Sequence, residues 1–162
     1  MIDPGPAPAG RWADLRTRLL SAIVMVAVGA MEIWLGGTAF AALVIALTAV
    51  MIWELAGMTA PWRQASPNVI AAAAGAALAL AFVLRGDLAT LFLMAPTLVL
   101  LLTRRRDRRL AGAYALAIML AGYGLVDLRL VGGTTAIIWL VTVVVVADVL
   151  GYFVGRMVGG PK

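Results

Sequence analysis

The sequence predicts an all-α integral membrane protein, and two observations support this fold class. Apolar residues make up 64% of the 162 residues and charged residues 13%, whereas soluble proteins contain about 45–50% and about 25% of these classes. The apolar residues also occur in separate runs of about 15–20, the length that a helix needs to cross a bilayer. Because lipid offers the backbone no hydrogen-bond partners, such runs are predicted to be helices.

The first segment, residues 1–14, is predicted to be a disordered cytosolic tail, because its first ten residues include three prolines and two glycines. Trp12 then suits the headgroup level of the membrane, where indole rings concentrate. The apolar run 18–35 is longer than the core of a cleaved signal peptide, which has about 7–15 residues. We therefore expect it to be retained as the first span of a polytopic transmembrane domain, residues 15–162.

Five further apolar runs follow, separated by glycine turns or polar loops. Gly36-Gly37 precedes the second span, and Arg85-Gly86-Asp87 forms a hairpin before the fourth. The arginine-rich run 104–109 precedes the fifth, and residues 127–133 are predicted to be the last external turn. The small residues at 71–81 predict close helix packing, since small side chains let backbones approach in lipid. The predicted spans two to six cover residues 38–58, 68–84, 88–102, 110–126 and 134–154.

The distribution of basic residues predicts how the spans are oriented. With the N-terminus inside the cell, eleven of the 13 lysines and arginines fall on the inner side, and only Arg85 and Arg129 fall outside. This asymmetry is typical of cytosolic loops, so we expect six helices with both termini cytosolic. The run 104–109 is interpreted as a topology determinant that contacts anionic lipid headgroups. The net charge of +5 suits these headgroups better than nucleic acid, because no soluble basic domain is predicted.

The chain contains no cysteine and no histidine, which excludes thiol nucleophiles, Ser-His-Asp triads and metal sites built on these ligands. Carboxylates, hard cations such as Mg²⁺ and phosphate recognition by Lys or Arg remain possible. Three acids lie within apolar spans: Glu32, Glu54 and Asp148. Glu32 lies near the external turn and is interpreted as structural. Glu54 and Asp148 both fall in the inner half of their spans, a depth at which the two carboxylates can face one cavity open to the cytosol. For each of them the alternative is a snorkelling side chain or one half of an interhelical hydrogen bond.

The residues after Asp148 extend this candidate site. Tyr152 lies four positions on, on the same helical face, and offers a hydroxyl group. Arg156 and Lys162 lie nearer the membrane surface, where they are candidates to bind phosphate. Glycines also recur every four residues here, a pattern that alone is more typical of a helix-packing seam than of a binding site.

At this point the sequence resembles a known family, the bacterial phosphatidate cytidylyltransferases or CDP-diacylglycerol synthases. The resemblance is strongest in Ala-Asp-Val-Leu-Gly-Tyr-Phe-Val-Gly-Arg at 147–156 and Gly-Gly-Pro-Lys at 159–162. It is weaker in Leu-Arg-Thr-Arg-Leu-Leu-Ser-Ala at 15–22, in Gly36-Gly37 with the following Phe40, and in Trp53-Glu54. Leu150-Gly151 departs from the family's more usual glycine and alanine, and leaves the rest of the motif in register.

The resemblance implies a reaction in which CTP and phosphatidic acid give CDP-diacylglycerol and pyrophosphate in phospholipid biosynthesis. It also implies Mg²⁺ as the cofactor and a multi-pass location in the bacterial cytoplasmic membrane. By resemblance, Asp148 would hold the cation, Tyr152 would line the catalytic site, and Arg156 would act there on phosphate. The substrate-binding residues would be Glu54, Arg156 and Lys162. A homodimer stays open.

In the family, the motif continues into a Ser-Pro-x-Lys-Thr segment and further spans that carry an acidic and Ser-Lys-Arg signature. The present sequence stops at Lys162. We therefore expect it to be the N-terminal part of such an enzyme, and to be inactive on its own.

Two alternative functions remain at the level of sequence. One is a CTP-dependent polyprenol or lipid kinase of related architecture, which would release CDP in place of pyrophosphate. The other is a non-catalytic membrane bundle, such as a transporter half or an assembly subunit, although no repeat of the kind found in transporters is visible. The identity of the nucleotide product distinguishes the first alternative, and the effect of replacing Asp148 distinguishes the second.

Overall fold

The computed structural model describes residues 20, 23, 27, 29–31, 34–60, 67–84 and 86–158. Every regular element in these residues is a helix, which confirms the all-α prediction. The four longest elements are α1 (Gly37–Thr59), α2 (Pro67–Leu84), α3 (Asp87–Leu102) and α4 (Arg108–Val158). The last of these consists of two helical halves that meet at a kink at Gly133. The predicted tail, most of the predicted first span and the end of the chain at residues 159–162 lie outside the described residues.

Three of the helices, α1, α2 and α4, are long and apolar enough to cross a membrane within the described ranges. The fourth, α3, is a shorter apolar helix of 16 residues. The helices α1 to α3 lie on the runs 38–58, 68–84 and 88–102 that the sequence marks as spans. The total of six spans and the cytosolic termini stay predictions.

The predicted turn at residues 127–133 is wrong for 127–132, and the break in the helix lies at the last residue of the predicted range. The chain stays helical through this segment, and the one non-helical residue is Gly133, with φ 68° and ψ −164°. Val126 before this bend and Ile137 after it both belong to a buried cluster with Phe40 and Val44 of α1. Apolar packing on α1 thus keeps 127–132 helical, and the change of direction is confined to a single glycine.

Gly36 and Gly86 adopt nearly the same backbone conformation as Gly133. Gly36 has φ 60° and ψ −164° and directly precedes α1, and Gly86 has φ 67° and ψ −148° and directly precedes α3. A positive φ combined with an extended ψ is accessible essentially to glycine alone. At each of these three junctions, a single glycine in this conformation lets the next helix start directly in a new direction.

The main core lies where α1, α2, α3 and α4 meet. Ile52, Leu78, Leu100 and Met119, one from each helix, are completely buried. Small residues bring the backbones together around them: Ala74 and Ala81 are fully buried, and a Cβ added to Gly75 would lie 3.4 Å from the Cβ of Ala49 on α1. The prediction of close packing for the alanine-rich run is confirmed.

An aromatic pair joins α2 to α4 beside this core. The rings of Phe82 and Tyr123 are stacked, with centroids 5.0 Å apart and an interplanar angle of 2°. Together with the buried cluster at Phe40, this stack holds the first half of α4 against the other helices. Beyond Leu140 this packing ends, and every residue from 141 to 157 is exposed.

Candidate functional site

The second half of α4 carries three of the predicted site residues on one face. Asp148, Tyr152 and Arg156 follow one another at intervals of four residues, so their side chains form a stripe along the helix. The Arg156 Nη1 atom donates a hydrogen bond of 3.1 Å to the Tyr152 hydroxyl oxygen. The structure thus brings Tyr152 and Arg156 together, and this contact orients the guanidinium along the helix.

Glycine and aromatic residues surround this stripe. A Cβ added at Gly151 or Gly155 would meet nothing within 4 Å, so this part of the helix has open space beside it. The ring of Phe153 packs edge-on against Tyr152, with centroids 5.8 Å apart and planes at 75°. The helix therefore presents a carboxylate, a hydroxyl and a guanidinium beside glycines that leave its surface open.

The expected cavity shared by Asp148 and Glu54 does not form among the described residues. Asp148 is exposed, and so is Glu54 near the end of α1. Within the described ranges neither carboxylate has a hydrogen-bond or ion-pair partner. The physical reason is that the segment after Leu140 packs against no other described helix. Lys162 and Glu32 lie outside the described residues.

The carboxylates also do not form a metal cluster by themselves. The described ranges contain no group of three or more Asp, Glu, His or Cys side chains placed to hold an ion. Asp148 is the single carboxylate that the motif offers. That is compatible with Mg²⁺, which binds through one or two carboxylates together with substrate phosphates and water.

Sequence analysis missed the specific role of Arg105. This side chain reaches from the loop between α3 and α4 to the C-terminal end of α1, where its Nη1 atom donates to the Ala56 carbonyl oxygen at 2.7 Å and the Thr59 hydroxyl at 3.1 Å. Its Nε atom donates to the Thr103 hydroxyl at 2.8 Å. Carbonyl groups in the last turn of a helix have no partner within the helix, so Arg105 caps α1.

One further hydrogen bond, between backbone groups, reinforces this cap. The backbone N–H of Arg106 donates to the Thr59 carbonyl oxygen at 3.2 Å. Partial burial lowers the pKa of the Arg105 guanidinium from its ordinary value, although an arginine stays protonated at neutral pH. A cation at a helix C-terminus is also favoured by the helix dipole. In the sequence, the one indication of this cap is the pair of threonines that accept from Arg105: Thr59 ends one apolar run, and Thr103 directly precedes the arginines.

Four of the five arginines of the run line an open basin. Its volume is about 670 Å³. It is formed entirely by the loop and the first turn of α4, with the lining residues Arg104, Arg105, Asp107, Arg108, Arg109 and Leu110. Arg106 belongs to the same run and is exposed, but it does not line the basin. A second, apolar crevice of about 170 Å³ lies between α2 and α3, lined by residues such as Ile70 and Pro96.

The fold and the motif define the class: a helical membrane protein that presents an Asp–Tyr–Arg stripe on an apolar helix. The model of the cytidylyltransferase family matches residues 16–162, and this chain belongs to that family. It is 32% identical over 157 residues to the phosphatidate cytidylyltransferases of Brucella abortus (strain 2308) and Brucella suis biovar 1 (strain 1330). These matches cover 93% of this chain and 57% of each relative, so the chain spans little more than half of their length. No solved structure matches it.

Proposed function

We propose that this protein takes part in the transfer of a cytidylyl group from CTP to phosphatidic acid, which gives CDP-diacylglycerol and pyrophosphate in phospholipid biosynthesis. Membership of the cytidylyltransferase family and the names of the Brucella relatives support this proposal. The observation that carries it in the structure is the stripe of Asp148, Tyr152 and Arg156, with the last two in hydrogen-bond contact. The proposed location is the bacterial cytoplasmic membrane, with this stripe reached from the cytosol.

The reaction suits a chain without cysteine or histidine. A phosphate oxygen of phosphatidic acid attacks the α-phosphorus of CTP and forms a new P–O bond. The bond between the α-phosphorus and the oxygen that bridges to the β-phosphate breaks, and pyrophosphate leaves with that electron pair. Because the lipid is the nucleophile, the protein has to align the two phosphates and neutralise their charge.

Each residue of the stripe has a role in this alignment. The Arg156 guanidinium donates to phosphate oxygens, and the Tyr152 hydroxyl fixes its direction through the 3.1 Å hydrogen bond. Lys162 adds a second cation for the same phosphates. Glu54 is proposed to bind substrate from α1, which requires α1 and the second half of α4 to face the same bound molecule.

Asp148 is the residue that would hold Mg²⁺, together with nucleotide phosphates and water as the remaining ligands. The bound cation would neutralise charge on the phosphates as pyrophosphate departs. By holding this cation, the carboxylate would orient the phosphate end of the nucleotide along the helix, toward Tyr152 and Arg156. An acid within an apolar helix is costly unless it has such polar partners.

The test is the replacement Asp148→Asn in the protein expressed from its complete reading frame, with Asp127→Asn as a matched control. Asp127 is an exposed acid on the same helix, outside the motif. We expect Asp148→Asn to lower cytidylyl transfer at least about 100-fold, the effect of removing one charge-stabilising group from an active site, and Asp127→Asn to leave it within about twofold. Membranes that contain each variant in equal amount are assayed with labelled CTP.

Identification of the products decides between the candidate reactions. CDP-diacylglycerol with pyrophosphate supports the proposal, whereas CDP with a phosphorylated lipid would show a lipid kinase. Equal transfer by the wild type and by Asp148→Asn would remove the stripe from the catalytic machinery. That result would support a scaffolding role for the helix.

A further inference from the structure

The basin between α3 and α4 is a candidate binding site separate from the stripe on α4. Four guanidinium groups and one carboxylate line it. Asp107 forms no ion pair with any of these arginines within the described part of the chain. The basin therefore keeps an excess of three positive charges, concentrated within seven consecutive residues.

The floor of this basin is rigid. Arg105 donates hydrogen bonds to Ala56, Thr59 and Thr103, and these bonds hold the loop at the end of α1. Asp107 closes the loop in a left-handed conformation, with φ 53°, and its carbonyl oxygen accepts the Ala111 N–H at 3.0 Å to start α4. The three remaining arginines thus project from a backbone that is held in place, so ligand binding has to order their side chains but not the loop.

The charge and shape of the basin select a phosphate group. Guanidinium groups bind phosphate oxygens through paired hydrogen bonds. Arg108 and Arg109 also occupy the first turn of α4, which contains no acidic residue. Positive side chains are unfavourable at a helix N-terminus, where the dipole favours anions. A bound phosphate would relieve this repulsion, because it interacts favourably with both the arginines and the helix end.

The surroundings favour a lipid as the source of this phosphate. The loop joins two apolar helices, and the leucines on either side of the arginines face outward, Leu102 with 83% and Leu110 with 60% of its surface exposed. Leu110 also lines the basin. A basic pocket with an apolar border suits a headgroup that is attached to acyl chains. We propose that Arg104, Arg108 and Arg109 form a binding site for the phosphate of an anionic phospholipid.

The test measures lipid binding by the purified protein with native mass spectrometry. The probes are dioleoyl phosphatidic acid, dioleoyl phosphatidylglycerol and, as the neutral lipid, dioleoyl phosphatidylcholine. The variant Arg104→Gln/Arg108→Gln is compared with Arg106→Gln, which removes a charge from the same loop outside the basin. The helix content and melting temperature of each variant verify that it is folded. No turnover is measured, so the result is independent of the proposed cytidylyl transfer.

We expect both anionic lipids to bind the wild type, with phosphatidylcholine at least tenfold weaker. Each basin arginine contributes about fivefold near an anionic lipid surface, so the double variant loses about 25-fold in affinity. Arg106→Gln stays within twofold, and added CTP does not displace the lipid. The proposal is overturned if the double variant binds the anionic lipids as tightly as the wild type does. It is also overturned if Arg106→Gln loses as much affinity for each removed charge as the double variant, or if phosphatidylcholine binds the wild type as tightly as the anionic lipids. Displacement by CTP would assign the basin to a soluble phosphate instead.

Discussion

The Arg105 guanidinium donates to the Ala56 carbonyl oxygen at 2.7 Å, across 49 positions of the chain. This contact ties the loop before α4 to the end of α1 and, with Thr59, caps that helix. An arginine in a run that the sequence marks as a topology signal thus has a specific structural role.

Replacement of Arg105 is expected to destabilise the fold. Arg105→Gln removes the charged donors from Ala56 and Thr59 and leaves the end of α1 without its cap. Hydrogen bonds to charged groups contribute about 1.5–3 kcal/mol, and since Arg105 is only partly buried, we expect a loss of about 1–2 kcal/mol. Unfolding in detergent by titration with denaturant measures this loss. Arg106→Gln is the control, and its free energy of unfolding should change by less than about 0.5 kcal/mol.

Gly133 is expected to resist replacement for a reason of backbone conformation alone. A Cβ there would meet nothing within 4 Å, but φ is 68°. Gly133→Ala should therefore cost about 1–3 kcal/mol from strain. Gly124→Ala also has open space but lies in regular helix, where alanine is favoured by about 1 kcal/mol. Melting temperatures that move in opposite directions in the two variants would verify this, and equal shifts would contradict it.

Gly122 is expected to resist replacement because of packing. An added Cβ would lie 2.5 Å from the Thr48 hydroxyl oxygen and 3.1 Å from a methyl carbon of Leu78. Thr48 is buried, so its side chain has little room to move. Gly122→Ala should destabilise the protein by about 1–3 kcal/mol, as overpacking does. The second change Thr48→Ala should recover part of this loss, and a purely additive double variant would contradict the contact.

Tyr152 is expected to affect catalysis and not stability. Tyr152→Phe removes the hydroxyl that accepts from Arg156, at an exposed position. The melting temperature should stay unchanged, while cytidylyl transfer by the protein from its complete reading frame should fall about 3- to 10-fold, the value of one ordinary hydrogen bond. Kinetics with varied CTP measure this effect. Val149→Ala, on another face of the same helix, serves as the control, and an equal loss in this variant would contradict the proposed role.

Hydropathy predicted the helices of the core well, because apolar length and turn residues are local properties. The positions of α1, α2 and α3 follow from the apolar runs, and Gly36 and Gly86 mark two of the junctions. The pattern failed at 127–132, which was predicted to belong to a turn and is helical. Contacts with α1 decide that segment, including the Arg129 side chain, which lies directly over Gly36. Such contacts connect residues that are distant in sequence.

For the candidate site, the sequence predicted the spacing of the residues along α4 but not their surroundings. The spacing of four residues places Asp148, Tyr152 and Arg156 on one face, and the observed hydrogen bond agrees with this. The depth of Glu54 and Asp148 in their spans gave no information on whether the two helices pack together. The Arg105 cap depends on where the loop folds back, which the sequence does not encode in any local pattern. The expected inactivity of the chain alone stays a prediction.

The single non-helical residue Gly133 makes the second half of α4 a lever with its pivot at one end. Arg156 lies about 34 Å from that pivot at 1.5 Å per residue, so turning the arm by about 10° would carry its guanidinium about 6 Å. Two torsion angles at one glycine thus set the reach of the whole Asp–Tyr–Arg stripe. A small change in either angle would therefore displace Arg156 much further than the residues next to Gly133.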